Sequence, residues 1–299
     1  MTDIRRACPA CKQCQPRDFR TRDGVRYVRC GACATLYHAD EPDWDRIARI
    51  YEADYHQQRG HSGDPAVEAG KRATTLAYLR TLERYRPPGR RLVEVGCSAG
   101  AGLAAAAEAG WDVQGVELSA QSADIARRRP GVRAVYAGRL EDAPLRDAEA
   151  DVFAMFDVIE HIDPPDDTLA AVHRLLAPGG LLLMVTPDGG SLSARILKAR
   201  WPHLFPEHVV LFSRAGIRVA LEAAGFHIER IAFAWKRINL DMLVRHAAIH
   251  RHVMFGRSLR LLGRVAPGAL LRPTFPFNIG EFYVIARRKP LRPAGQSFR

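Results

Sequence analysis

The chain lacks long hydrophobic runs. No apolar stretch exceeds the length of Leu181 to Val185, whereas a membrane-spanning helix needs about 20 residues. The segment Met1 to Cys8 is polar and has no apolar core of the kind found in signal peptides. We therefore expect a cytoplasmic protein. Hydrophobic residues make up 47% of the 299 residues and charged residues 26%, and these average values exclude a disordered, collagen-like or coiled-coil chain.

Acidic side chains are scarce only in the last third of the chain. The formal net charge is +11. Residues 1–194 hold 25 basic and 28 acidic side chains, whereas residues 195–299 hold 19 basic and 5 acidic ones. In residues 240–272 the basic side chains alternate with apolar ones at helical spacing, which is typical of an amphipathic helix. Its basic face either makes a peripheral contact with a membrane or an acidic ligand, or is the solvated side of a helix packed on the core.

Cysteine is nearly absent beyond residue 33, where only Cys97 occurs. Two Cys-x-x-Cys pairs lie before it, and a hairpin pattern around Gly24 separates them. This spacing is typical of a zinc ribbon, in which each pair gives two thiolates to one tetrahedral structural ion. The predicted zinc ligands are Cys8, Cys11, Cys30 and Cys33. A disulfide pair or reduced thiols are the alternatives to zinc. Cys14 also forms a Cys-x-x-Cys pair with Cys11, and the sequence does not assign it a role.

Short apolar strands alternate with helical segments from residue 89 onward. The predicted strands cover 91–96, 112–117, 132–136, 151–156, 180–186, 226–234 and 280–286, and the main helices 65–85, 101–109, 120–128, 165–177 and 213–224. Such alternation predicts an α/β fold with a Rossmann-like, doubly wound, seven-stranded and mostly parallel sheet, preceded by the small zinc ribbon. We expect four regions: a zinc ribbon at 1–40, a helical lid or linker at 41–88, a nucleotide-binding core at 89–236, and a basic helical segment with the last strand of the core sheet at 237–299.

The first strand of this core ends in small residues. Gly96, Ser98 and Gly100 let the backbone approach a ligand closely and adopt positive φ, and the next helix would point its N-terminus at that ligand. The following strand ends in Glu117, 23 residues after Glu94, where a carboxylate can accept hydrogen bonds from both hydroxyls of a ribose. The glycine spacing does not fit the G-x-G-x-x-G pattern of NAD-dependent enzymes. The pattern therefore indicates a different nucleotide-type ligand at the carboxyl ends of the strands.

These motifs resemble those of class I S-adenosylmethionine (SAM)-dependent methyltransferases, and among them the small-molecule enzymes related to ubiquinone-biosynthesis O-methyltransferases. The matching segments follow the family's order: Val93–Gly100, Gly115–Ser119, Gly138–Pro144, Phe156–His161, Leu175–Gly180, Thr186–Asp188, Pro206–His208 and Ala224–Phe226. Ser98 stands where a middle glycine is commoner, and Arg139 stands where an aspartate is frequent. The resemblance is strong over about residues 43–235, and a zinc ribbon precedes the domain in some members. It implies that residues 89–236 form a SAM-binding methyltransferase core.

The resemblance also implies which residues hold the cofactor. They are Glu94, Gly96, Cys97, Ser98, Gly100, Glu117, Leu118, Leu140 and Asp157, with Tyr51 and Tyr55 from the helical segment before the core. We expect Leu140 to contact adenine through its backbone. Cys97 is expected to pack or to act through its backbone, because no base is identifiable beside it. The two tyrosines lie four residues apart on one helix face, so they either pack in a core or close over the cofactor.

Methyl transfer to a hydroxyl needs a base that works near neutral pH, and histidine is the residue type that fits. Two histidines, His161 and His208, lie where the acceptor is expected. We predict that one of them removes the acceptor proton and that Glu160 or Glu207 orients it, with histidines bonded only to backbone as the alternative. The expected reaction is O-methylation of a lipid-linked, sugar or secondary-metabolite acceptor.

Two other functions stay open. The zinc ribbon and the basic end could grip RNA, as in an RNA methyltransferase or an RNA-binding protein. The segment 163–166 is not the Asn/Asp-Pro-Pro-Tyr motif of amino-methylating enzymes, so nucleic acid is the less favoured partner. A SAM-binding protein without catalytic activity is the third reading.

Overall fold

The computed structural model describes residues 6–52, 65–241, 243–244, 258, 261–263, 266, 273–278 and 280–290. Tyr55 and most of the basic stretch 240–272 lie outside these residues, as does the side chain of Tyr51. The closing role of the two tyrosines and the docking role of the basic stretch therefore stay predictions.

The helices and strands follow one another in the predicted order. The strands are β1 Pro16–Arg22, β2 Val25–Cys30, β3 Leu36–His38, β4 Arg91–Val95, β5 Asp112–Glu117, β6 Val132–Ala137, β7 Ala150–Phe156, β8 Leu176–Pro187, β9 Val210–Leu211, β10 Phe226–Phe233, β11 Lys236–Asn239, β12 Thr274–Phe277 and β13 Glu281–Arg288. The helices are α1 Trp44–Glu52, α2 Pro65–Glu83, α3 Ala101–Glu108, α4 Ala120–Arg127, α5 Asp166–Leu175, α6 Leu192–Leu197 and α7 Arg214–Ala223. The helix predicted to reach residue 177 ends earlier and β8 begins earlier, because Pro178 disfavours helical backbone at the residue before it.

A seven-stranded sheet forms the centre of the fold, which confirms the predicted α/β class. The strand order is β10-β13-β8-β7-β4-β5-β6. Strand β13 runs antiparallel to β8 and β10, and the other neighbouring pairs are parallel. The order along the chain reverses between β4 and β7, so a ligand crevice is expected beyond the carboxyl ends of these two strands.

Both faces of this sheet are covered by helices. Helices α2, α3 and α4 pack with Val152 of β7 in one apolar cluster, and α5 and α7 pack with Phe153 in another. Because neighbouring side chains of a strand point to opposite faces, β7 is apolar along nearly its whole length. The sheet thus holds the ends of β4, β5 and β7 rigidly beside one another.

The cysteine-rich segment and the core share a second sheet. The predicted hairpin is present as β1 and β2, and β3 continues this sheet by pairing with β9, Leu36 opposite Leu211 and Tyr37 opposite Val210. The start of α7 adds to this contact, because the backbone N–H of Ser213 donates to Thr35 Oγ1 at 3.3 Å. The cysteine-rich segment is therefore attached by backbone pairing to the segment that follows β8 and α6.

A separate two-stranded antiparallel sheet pairs β11, which follows β10, with β12, which lies 34 residues further along the chain. The backbone N–H of Arg237 donates to Thr74 Oγ1 of α2 at 2.9 Å. This contact fixes the start of β11, and with it Lys236, at the edge of the crevice.

Candidate active site

The turn after β4 requires left-handed backbone at three residues. Gly96, Ser98 and Gly100 have φ of 71°, 52° and 76°. A Cβ at Gly96 would lie 2.4 Å from Val158 Cγ2, so only glycine fits there. Ser98 carries the cost of a side chain in the same conformation, at the position where the methyltransferase motif more often has glycine.

Glu117 holds this turn from the end of β5. Its Oε2 accepts a hydrogen bond from the backbone N–H of Ser98 at 2.8 Å, and its Oε1 accepts one from the backbone N–H of Ser119 at 3.0 Å. An ionised carboxylate has about four acceptor positions, so Glu117 keeps capacity for hydroxyl donors. The neighbouring Leu118 side chain is 61% exposed, which leaves an apolar surface beside the carboxylate.

A buried acid and a lysine lie behind the turn. Burial is the main cause that raises the pKa of Glu94 to about 8; the charge of Lys71 opposes this rise, and Glu117 adds to it. Burial lowers the pKa of Lys71 on α2, while Glu94, Asp157 and Glu117 raise it. Lys71 therefore lies within electrostatic reach of three predicted cofactor residues. Sequence reasoning missed it, because its direction depends on how α2 packs and no motif marks it.

Asp157, which follows β7, belongs to an ion-pair cluster. Lys236 Nζ donates to both carboxylate oxygens of Asp157 at 2.7 and 2.8 Å and to Glu281 Oε1 at 2.7 Å. Partial loss of hydration tends to raise the pKa of Asp157, but the charge of Lys236 outweighs this effect and the pKa is lowered. Asp157 is thus ionised at the mouth of the crevice, where its side chain is 42% exposed. The sequence did not indicate Lys236 or Glu281, which are far from Asp157 along the chain.

The two predicted histidines come together with Glu160. One carboxylate oxygen of Glu160 and one ring nitrogen each of His161 and His208 lie within 4.8 Å of one another. His161 Nδ1 lies 2.9 Å from the backbone carbonyl oxygen of Glu207, and His208 Nδ1 lies 2.7 Å from that of His203. A carbonyl oxygen can only accept, so both Nδ1 atoms donate. Each ring therefore has a backbone partner at Nδ1.

Burial dominates the electrostatics of this group. It lowers the pKa of His161 to about 3, with a further contribution from His208, so His161 is neutral at physiological pH. Burial and the nearby Asp157 raise the pKa of Glu160 to about 8. Glu160 Oε2 accepts a hydrogen bond from Thr186 Oγ1 at 2.9 Å.

The segment that carries His208 is held from two sides. The backbone N–H of Val209 donates to the carbonyl oxygen of Glu160 at 2.9 Å, and the carbonyl oxygen of Val209 accepts from the backbone N–H of His38 in β3 at 3.2 Å. The cysteine-rich segment therefore helps to place His208 beside Glu160 and His161.

Two further predicted residues are buried. Leu140 is 4% exposed, in a single turn of 3-10 helix after β6. Cys97 is 3% exposed and packs closely over Gly115, where an added Cβ would lie 2.6 Å from its Sγ. Burial raises the pKa of the Cys97 thiol well above its ordinary value, so this side chain is neutral and packed.

The cysteine cluster has the geometry of a tetrahedral metal site. Cys8 Sγ lies 3.7 Å from Cys33 Sγ, and Cys11 Sγ lies 3.6 Å from Cys30 Sγ. These distances exclude disulfides, whose sulfurs are about 2.05 Å apart. They match the edge of a tetrahedron with zinc–sulfur bonds of about 2.3 Å, which is about 3.8 Å. Cys14 is exposed and lies outside this group, so the four residues present fit a zinc ion.

Comparison with known families decides what kind of domain surrounds the crevice. A family model described as a methyltransferase domain matches residues 69–231, more than half of the chain. The chain belongs to this methyltransferase family. The matched region contains the turn after β4, Glu117 and the Glu160–His161 pair, and the resemblance to class I SAM-dependent methyltransferases is thereby confirmed at the level of the family.

Curated relatives have the same kind of name. A protein of Mycolicibacterium smegmatis assigned as an S-adenosylmethionine-dependent methyltransferase is 34% identical over 48% of this chain and 55% of its own length. A ubiquinone biosynthesis O-methyltransferase of Bordetella avium is 34% identical over 33% of this chain and 43% of its own length. A dTDP-3-amino-3,6-dideoxy-alpha-D-glucopyranose N,N-dimethyltransferase of Streptomyces fradiae is 28% identical over 71% of this chain and 78% of its own length. The chain spans about half the length of the first two.

Solved structures show the same fold at low sequence identity. A candidate sarcosine dimethylglycine methyltransferase of Galdieria sulphuraria matches 83% of this chain and 98% of its own, with a TM-score of 0.54 and 13% identity. At this identity the likeness concerns the fold alone. Among the described helices, none is both long and apolar enough to cross a membrane.

Proposed function

We propose that the protein transfers a methyl group from SAM to a hydroxyl of a small biosynthetic molecule, of a lipid-linked, sugar or secondary-metabolite type. The observation that carries the proposal is the joint arrangement of Glu117 bonded to the turn after β4 and of the histidine pair beyond β7. The first group suits a nucleoside ligand and the second suits the acceptor. The turn lies at the carboxyl end of β4, and Glu160 and His161 follow the neighbouring strand β7, where sheets of this topology bind ligands.

The cofactor supplies an electrophilic methyl group on a sulfonium when it is bound. Glu117 would hold the ribose hydroxyls, and Leu118 and Leu140 would flank the adenine. The ionised Asp157 suits the cofactor's ammonium, while Lys71 suits its carboxylate. Asp157 and Lys71 thus offer one negative and one positive charge to the ammonium and the carboxylate of the cofactor's amino-acid part.

The acceptor side is built from Glu160, His161, His208 and Glu207. His161 is neutral and its Nδ1 donates, so its Nε2 has a lone pair that can accept a hydrogen bond from the acceptor hydroxyl. We propose that this group positions the hydroxyl in line with the transferred methyl and helps its proton to leave.

An amine is the second candidate acceptor. The relative with the broadest coverage of this chain among the three described is an amino-sugar N,N-dimethyltransferase. A neutral amine has its own lone pair and needs no base before attack, so the histidines would then only position it.

The cysteine-rich segment completes the proposed assembly. We infer that it binds a structural zinc ion through Cys8, Cys11, Cys30 and Cys33 and forms a ribbon over about residues 1–40, followed by the helical segment 41–88, the SAM-binding core 89–236 and the region 237–299. Four thiolates close the coordination shell, so this ion would have no part in the chemistry. We also propose that the protein works in the cytoplasm, with a peripheral membrane contact through 240–272.

The test is methyl transfer to unfractionated metabolites. The full-length protein is incubated with methyl-labelled SAM and separate small-molecule, lipid and RNA extracts, and labelled products are identified by mass spectrometry. We expect label in a methyl ether of a small molecule or lipid, and none with Glu117→Ala. Label only in a methylated amine would favour the second candidate, and label only in RNA would contradict both.

A further inference from the structure

Two histidines and a glutamate converge outside the cysteine cluster. Glu160, His161 and His208 offer one ligand atom each within 4.8 Å of one another. We propose that these three side chains bind a divalent transition-metal ion, which keeps coordination positions for an oxygen of the acceptor. The binding of the ion rests on the residues themselves, and its action on the acceptor rests on the function proposed above.

Glu160 has a buried oxygen with no hydrogen-bond partner. The residue is fully buried, and while Oε2 accepts from Thr186, Oε1 has no partner among the described residues. An unsatisfied buried polar atom costs about 1 to 3 kcal/mol. A carboxylate oxygen can satisfy this need with a donor or with a cation, and the neighbouring histidine nitrogens indicate a cation that all three would share.

The histidine tautomers are those of metal ligands. Both Nδ1 atoms donate to backbone carbonyl oxygens: Nδ1 of His161 to that of Glu207, and Nδ1 of His208 to that of His203. The proton therefore sits on Nδ1, and the lone pair sits on Nε2. Metal-bound histidines are commonly oriented in this way, with the second nitrogen donating to a carbonyl or a carboxylate.

An ion bound by Nε2 of His161 would take the place of the direct contact between this atom and the acceptor hydroxyl, so the acceptor oxygen would bond the ion instead. A cation beside Oε1 of Glu160 would also give that buried oxygen the partner that it lacks among the described residues. Metal binding therefore gives a use to the buried carboxylate, which a histidine base alone does not explain.

Two imidazoles and one carboxylate select the kind of ion. This set is typical of Zn²⁺ in catalytic sites and of Fe²⁺, whereas Mg²⁺ prefers oxygen ligands. Bonds of about 2.0 to 2.2 Å would draw the three ligand atoms to about 3.4 Å apart, which requires only small side-chain movements. Three protein ligands leave positions open, in contrast to the closed set of four thiolates.

An open position gives the ion a chemical role. An acceptor hydroxyl bound there would have a lowered pKa, so its O–H bond would break near neutral pH and the proton would pass to water. The oxygen would then attack the methyl carbon while the carbon–sulfur bond breaks, and the positive charge of the sulfonium and the negative charge of the oxygen cancel. Electrons and charge balance without an oxidant.

Metal content of the full-length protein tests the proposal. Wild type, Glu160→Gln and His161→Gln are stripped with a chelator, reconstituted with Zn²⁺, freed of excess ion and measured by mass spectrometry. We expect about two zinc ions per chain in wild type and about one in each variant. His227→Gln, an exposed residue of β10, is the matched control and should keep the wild-type content.

Cobalt distinguishes the two sites. With Co²⁺ in place of Zn²⁺, Glu160→Gln should keep the absorption of the cobalt ion bound to the cysteine thiolates. It should lose only the second cobalt ion, which wild type would bind at Glu160, His161 and His208. Equal metal content in folded wild type and both folded variants would overturn the proposal. SAM affinity of Glu160→Gln within about threefold of wild type would show that the loss concerns the metal and not the cofactor crevice. If wild type itself bound no SAM, the proposed function would fail, and the metal count would still decide this site.

Discussion

Replacing Ser98 with glycine should stabilise the protein, although Ser98 lies in the proposed cofactor turn. Its φ of 52° is strained for a side chain with a Cβ, and this conformation costs roughly 1–2 kcal/mol. The Ser98 hydroxyl is also buried without a hydrogen-bond partner in the described part of the chain, which costs about 1–3 kcal/mol. Glycine opposes these gains by about 0.4–1 kcal/mol, because it makes the unfolded chain more flexible.

We therefore expect Ser98→Gly to raise the free energy of unfolding by about 1 to 4 kcal/mol, measured by urea denaturation. SAM affinity should stay close to that of wild type, because the contact of Ser98 with Glu117 uses the backbone N–H. Ser98→Ala is the matched control. It removes the hydroxyl but keeps the strained Cβ, so it should gain less. A less stable Ser98→Gly, or one that binds SAM more than tenfold weaker, would refute the reasoning and indicate that the hydroxyl bonds the cofactor.

Three further changes have expected outcomes. Gly96→Ala should lower the free energy of unfolding by about 2 to 4 kcal/mol, because Gly96 has a φ of 71° and the added Cβ would lie 2.4 Å from Val158 Cγ2. A loss below about 0.5 kcal/mol in urea denaturation would contradict this. Cys30→Ser should release zinc and lower methyl transfer, because the cysteine-rich segment holds the strand beside the histidine pair, whereas the exposed Cys14→Ser should do neither. Glu94→Gln should flatten the fall of stability between pH 5 and pH 8. The pKa of Glu94 rises from 4.5 to about 8 on folding, so the stability that Glu94 contributes is present below pH 4.5 and lost as the pH rises towards 8. If the free energy of unfolding changes with pH equally in wild type and Glu94→Gln, Glu94 does not titrate in this way.

The sequence predicts the central sheet well because its signals are local. The seven strands are rich in apolar residues and most are bounded by turn residues, and the turn after β4 and Glu117 follow the strands that the sequence predicts. The predicted zinc ligands also come together in space, because two Cys-x-x-Cys pairs on a hairpin leave few other arrangements.

Other features depend on contacts that no local pattern records. Strand β9 has two residues and no strand signal of its own, yet its pairing with β3 fixes the position of His208. The ion cluster of Asp157, Lys236 and Glu281 joins three separate strand ends. Lys71 lies on a helix whose orientation is set by packing alone. The candidate metal group also depends on such a contact, because the pairing of β9 with β3 places His208 beside His161.

Titration of the protein with SAM by calorimetry tests the central claim most directly. We expect one site per chain in wild type and at least a tenfold loss of affinity in Glu117→Ala, since the carboxylate both holds the turn after β4 and receives the ribose hydroxyls. Asp112→Ala, at the other end of β5 and exposed, should bind as wild type does. Absence of SAM binding in wild type, or unchanged affinity in Glu117→Ala, would contradict the account.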